Sequence, residues 1–154
     1  MRSLVLGSPA GTPAGDTWVS YRAYYFEAAP VNQGTSISWS STNVNVTGTG
    51  QAIGTGRAST AIIIATHSSD TIANNAAKAA AEYTGGGKTD WFLPSLRELN
   101  EMYEARIHLI LSSGEFWSST DSGTSSAWVQ SFISGAQNYI GKNNNRSVRA
   151  IRAF

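Results

Sequence analysis

The most constraining feature of the chain is the interleaving of two residue classes in its last forty residues, Glu115 to Phe154 (EFWSSTDSGTSSAWVQSFISGAQNYIGKNNNRSVRAIRAF). Large side chains recur at Phe116, Trp117, Trp128, Phe132, Val148, Ile151 and Phe154. Side chains of this size bury enough apolar area to anchor a core. Between them stand short polar residues: Asp121, Ser122, Thr124, Ser125 and Ser126, then Ser131, Ser134 and Asn138, then Asn143, Asn144 and Asn145. Ser and Asn side chains offer adaptable hydrogen bonding, the chemistry of antibody paratopes. The stretch reads as a frame displaying a binding surface. The alternative is a set of Ser/Asn-rich loops over an ordinary core, because turn residues are enriched in any loop.

The remaining composition is compatible with such a frame. At 154 residues the chain fits one domain, expected over 18–154 after a linker-like segment, 1–17, rich in Gly, Pro and Ala. A hydrophobic fraction of 41% with five Trp, six Tyr and five Phe can form a core. Charged residues are only 14% of the chain, against ~25% in typical soluble domains. The net charge is +1 and Lys and Arg are scattered, so no basic face for nucleic acid is expected. The absence of Cys excludes disulfides, thiolate nucleophiles and Cys zinc sites. The longest apolar run, Ala61–Ala65, is five residues, and Met1–Gly7 is too short for the apolar part of a signal peptide. Neither membrane insertion nor a signal peptide is expected.

Taken in order, Trp18–Ala28 is aromatic and partly alternating, as a strand would be, and Val44/Val46 suggest a second short strand. With no basic groove beside them, Trp18, Tyr21, Tyr24 and Tyr25 read as core residues, not as a base-stacking platform. Ser59–His67 and Thr71–Tyr83 read as helices, the second with Asp70 as N-cap and Gly85–Gly87 as its end. Asp90–Pro94 (DWFLP), carrying Trp91, reads as a short buried strand. Ser95–Glu98 has the form of a capping box, opening a helix whose Leu99, Met102 and Tyr103 face the core. The last third reads as strands at 116–120, 127–133, 137–141 and 146–154, with a tight turn at Ser134–Gly135 and another at 143–145. The closing strand does not sort its arginines from its apolar residues by parity; it requires a bulge or a carboxylate partner such as Glu98 or Glu101. The fold class is α+β and loop-rich, with two main helices packed on short antiparallel strands.

No motif for chemistry survives inspection. Gly48, Gly50, Gly54 and Gly56 miss the dinucleotide spacing, and Gly87-Lys88-Thr89 lacks the leading glycine of a phosphate loop. His67 and His108 have no triad or metal-ligand spacing around them. Glu98 and Glu101, on adjacent helical turns, read as solvated or Arg-paired. No enzyme, cofactor or metal site is expected. Trp39-Ser40-Ser41-Thr42 matches Trp117-Ser118-Ser119-Thr120, but the surroundings do not repeat, so no duplicated unit is expected.

The blocks DWFLPSLRE at 90–98, FWSST at 116–120, AWVQSF at 127–132 and SVRAIRAF at 147–154 carry a resemblance. They resemble the DUF1566, or Lcl C-terminal, domains, which have a C-type-lectin-like fold, and among these the variable proteins of diversity-generating retroelements. The likeness runs from about Tyr25 to the C-terminus. It implies that reverse transcription randomises adenines in the coding segment for 115–154. Asn codons altered at their first two bases reach Asn, Ser, Thr, Ile, Asp, Gly, Ala, Val, Tyr and Arg, but not Trp, Gln, Lys, Glu or Met. The interspersed residues from Asp121 to Arg146 all lie in the reachable set. Besides the polar residues already named, they include Val129, Ile133, Ala136, Tyr139, Ile140 and Arg146 as expected ligand-contacting positions. Trp128, Gln130, Gln137 and Lys142 lie outside it and would be scaffold, with Trp91, Trp117, Phe132, Val148 and Ile151. The implied function is recognition of an unknown protein or cell-surface ligand, with display on a surface or within a virion assembly. The alternative is a non-diversified adhesion domain for glycans or glycosaminoglycan. The calcium–sugar motifs of true C-type lectins are absent, so no calcium-dependent sugar site is expected. Distant fold relatives, the formylglycine-generating enzymes, need active-site cysteines that this chain lacks.

Overall fold

The computed structural model describes residues 3–5, 25–111 and 113–154. The expectations for Trp18, Tyr21 and Tyr24, and for most of the 1–17 segment, lie outside them. Strands β1 (Ser3–Val5), β2 (Tyr25–Ala28) and β8 (Ile151–Ala153) form one antiparallel sheet in the order β1-β2-β8. Strands β3 (Gly34–Ser38), β4 (Glu115–Asp121), β5 (Ser126–Ser131), β6 (Gln137–Gly141) and β7 (Asn145–Val148) form a second sheet, ordered β3-β7-β4-β5-β6. Its pairs are antiparallel except β4–β7, which is parallel. Among the described residues four α-helices follow β3 and precede β4 in the chain: α1 (Gly56–Thr66), α2 (Ala76–Ala81), α3 (Leu96–Glu104) and α4 (Arg106–Leu109). The molecule is therefore mixed α/β. Among the described residues no helix is long and apolar enough to cross a membrane.

The two faces of the five-stranded sheet serve different helices. Trp117 and Val129 oppose each other across β4 and β5 and enter a core with Trp39, Ile63, Leu93 and the alanines of α2. Phe116 enters the other core with Leu99 and Met102 of α3, Phe132, Phe26 and Ile151. Two tryptophans lock the first core reciprocally: Trp39 Nε1–H donates to the Ser118 carbonyl and Trp117 Nε1–H to that of Ile37, each at 2.8 Å. Both indoles are fully buried, so each donor needs this partner. The two Trp-Ser-Ser-Thr segments are thus spatial partners at their tryptophans.

One local expectation is met and several are corrected. The capping box forms: the Ser95 hydroxyl accepts from Glu98 N–H, and the Glu98 carboxylate accepts from Ser95 N–H at 2.7 Å. Glu98 is neither solvated nor Arg-paired; it is buried and also accepts from Gly54 N–H at 2.7 Å. Burial raises its pKa, against the hydrogen bonds from Ser95, Gly54 and Gly56. A Cβ on Gly56 would stand 2.1 Å from that carboxylate, which is why the start of α1 is glycine.

α2 is shorter than expected, and its N-cap is Asn75, whose side chain accepts from Lys78 N–H at 2.9 Å. Asp70 instead braces the Ser41 turn, accepting from the Ser41 amide and hydroxyl and from Asn75 Nδ2. The helix ends at Ala81, before the glycines, which form a 3-10 turn. Val44 and Val46 lie in irregular chain, and the DWFLP segment contributes one bridge, Phe92 to Ile151.

The closing segment is divided, with Arg149 and Ala150 between β7 and β8. Neither Glu98 nor Glu101 is its partner. Arg152 pairs with Glu27 at 2.9 Å and Asp90 at 2.8 Å, while Arg149 is only 5% exposed and its Nε has no hydrogen-bond partner among the described residues.

Candidate ligand-binding surface

The surface is built from three connected pieces: the β4–β5 loop 122–125, the edge strand β6, and the β6–β7 turn at 142–144. Lys142 holds them together from below. Its side chain is wholly buried, with Nζ 2.9 Å from Asp121 Oδ1, 2.7 Å from the Val44 carbonyl and 4.6 Å from the centroid of the Trp39 ring. Its amide donates to the Ser125 carbonyl and its carbonyl accepts from Trp39 N–H, both at 2.9 Å. Asp121 completes the joint. Its carboxylate accepts from Val46 N–H and Gly123 N–H, while its own amide donates to Thr49 Oγ1. A buried charge needs such compensation, and here both charges have it.

Around this joint the expected ligand-contacting residues divide by exposure. Thr124, Ser125, Asn138, Asn143, Asn144 and Asn145 are exposed, as are Ile133 (73%) and Tyr139 (62%). Ser134 and Ala136 are exposed in the β5–β6 connection. Ser122, Ser126, Ser131, Ile140 and Arg146 are half-buried, and Arg146 pairs with Glu115. Two expectations are corrected. Val129 is 1% exposed and packs in the first core, because it shares the Trp117 face of the sheet. Asp121 belongs to the buried joint with Lys142. Among the residues expected as scaffold, Trp91, Trp117, Phe132, Val148 and Ile151 are buried. Trp128 is half-buried instead; its ring meets that of Tyr139 edge-on at 5.3 Å, across the β5–β6 pair.

The β5–β6 connection is longer than a tight turn. β5 ends at Ser131, Phe132 turns into the second core, and Gly135 N–H closes on the Ser131 carbonyl at 2.8 Å. Gly135 has φ +79°, and a Cβ there would meet the Tyr103 ring at 2.7 Å, so both conformation and space require glycine. Gln130, fully buried, bonds Asn100 Oδ1 at 2.8 Å and the Gly135 carbonyl at 3.1 Å, joining the turn to α3. Gln137, Arg97, Asn100, Glu101 and Ile53 line a recess of about 370 Å³ on this side. A larger cavity of about 500 Å³, between Glu27–Pro30, Gly85–Gly86, Trp91 and His108–Ile110, contains none of the expected contact residues.

His67 lies under the joint from the side of Asp70. Its Nδ1 is 3.2 Å from Thr42 Oγ1, and its ring meets Trp39 edge-on. Burial lowers its pKa; Asp70 opposes this and Lys142 adds to it. Among the described residues no group of three His, Asp or Glu side chains is placed to hold a metal ion.

The arrangement is that of a small mixed α/β domain presenting loops and a sheet edge on a braced base. The chain belongs to the Lcl C-terminal domain family, whose model matches residues 31–152. Membership suggests an adhesion-like or surface domain. No curated protein matches the chain.

Proposed function

We propose that the chain is a ligand-binding protein of C-type-lectin-like fold that presents a diversified surface to a protein or cell-surface target, as the variable proteins of diversity-generating retroelements do. It acts by binding, without catalysis, and is displayed on a surface or a virion. The observation that carries this reading is the separation of exchangeable from fixed residues in the last forty. Thr124, Ser125, Ile133, Asn138, Tyr139, Asn143 and Asn144 are exposed and lie within the reachable set. Lys142, Gln130 and Gln137, outside that set, make the hydrogen bonds and the ion pair that hold the loops. The pairing of β2 with β8, which brings the two ends of the domain together, supports the lectin-like reading of the fold.

The test is the neighbouring DNA. A near-duplicate of the 3′ coding end differing only at adenines, beside a reverse transcriptase gene, is expected. Without it the alternative stands, an adhesion domain of fixed sequence that binds glycans or glycosaminoglycan. That alternative predicts retention on a glycan array and weaker binding at higher salt.

A further inference from the structure

Among the described residues β6 is the outer strand of its sheet, and half of its backbone groups turn away from β5. It pairs with β5 over five consecutive residue pairs without a bulge, from Gln130↔Gln137 to Ser126↔Gly141. The amide of Ser131 donates to the Ala136 carbonyl, and that of Lys142 to the Ser125 carbonyl. In an antiparallel ladder these bonds alternate, so Asn138 and Ile140 also turn their backbone groups toward β5. Gln137 and Tyr139 turn theirs outward, where the described residues supply no neighbouring strand. Proteins ordinarily protect such an edge with a charge, a proline or a bulge. The sequence Gln-Asn-Tyr-Ile-Gly has none of these.

We infer that β6 takes an extended segment of the target protein as an added strand, so that the target is recognised through its backbone as well as its side chains. This rests on the binding-surface reading above and adds the class of ligand to it. The outward groups of Gln137 and Tyr139 repeat roughly every 6.5–7 Å, the two-residue repeat of an extended polypeptide. Alternate side chains of the added strand fall beside the Tyr139–Trp128 pair on one face and beside Asn138 on the other. Main-chain bonds supply affinity that survives changes in the exposed side chains, while those side chains select the segment. A surface whose side chains are exchanged gains from such a constant contribution.

The probe is a display library of random linear peptides, with binding of a selected peptide measured by fluorescence anisotropy. Methylating the peptide's backbone nitrogens one at a time is expected to weaken binding about tenfold or more at every second position and little at those between. Tyr139→Pro is expected to weaken binding about tenfold or more beyond Tyr139→Ala, which removes the same ring and keeps the amide; equal binding by the two variants overturns strand addition. Because the Tyr139 amide lies outside the ladder, the proline variant is expected to share the urea midpoint of Tyr139→Ala, both having lost the ring contact with Trp128. A methylation scan without alternation, or binding retained by Tyr139→Pro, overturns strand addition. If binding is then still lost on substituting Ser125 or Asn144, the surface reading stands alone; if it is indifferent to these too, both fail. Selection of no peptide, or a dimer in sedimentation that Tyr139→Pro abolishes, also overturns the inference, the dimer by assigning the edge to a second copy.

Discussion

Lys142 shows how one residue separates what is fixed from what is free. A lysine with no exposed side-chain surface is tolerable only because Asp121, the Val44 carbonyl and the Trp39 ring satisfy it. Removing one partner leaves the other charge buried. Lys142→Met is therefore expected to lose about 3–5 kcal/mol of unfolding free energy in urea, with Asp121→Asn comparable and the double variant losing less than the sum. Nearby, His67 is held neutral, below its ordinary value of 6.5, chiefly by burial. A depressed value gives stability that is present above pH 6.5 and lost as pH falls through the folded-state value. Urea unfolding at pH 7.5 and pH 5.5 is expected to show this loss in the parent chain and less of it in His67→Gln.

At the scale of elements, Gly135 and the Ser95–Glu98 box fix the orientation of β6 and α3. Gly135→Ala forces a left-handed alanine against Tyr103, and a loss of about 1–3 kcal/mol is expected in thermal or urea unfolding. Glu98→Gln replaces one carboxylate acceptor by a donor facing an amide, and about 1–3 kcal/mol is expected there too.

These elements also show what the residues could and could not reveal. The capping box and the β6 segment were legible because capping chemistry and turn residues are local. Asp70 and Asn75 are both good cap residues by type, and only the long-range bond from Ser41 to Asp70 decides between them. The break at Arg149–Ala150 and the burial of Val129 depend on which face meets α1 and α2, which periodicity alone does not give. Asp121 reads as exchangeable because its residue type and turn setting match its neighbours; its partner Lys142 is 21 positions away, from 121 to 142. The reciprocal tryptophan bonds had a signal in the repeated Trp-Ser-Ser-Thr, which spacing alone did not interpret.

For the whole molecule, the central claim is that recognition and stability reside in different residues of the same forty. It is tested most directly by the unfolding free energies of single variants across 121–146. Replacing Thr124, Ser125, Ile133, Asn138 or Asn143 by Asp or Ala is expected to change stability by no more than about 0.5 kcal/mol each. Val129→Asp, which puts an unpaired charge in the first core, is expected to prevent folding or cost several kcal/mol. Losses of about 2 kcal/mol or more at most of the five exposed positions, or a Val129→Asp variant as stable as the parent, would contradict the separation.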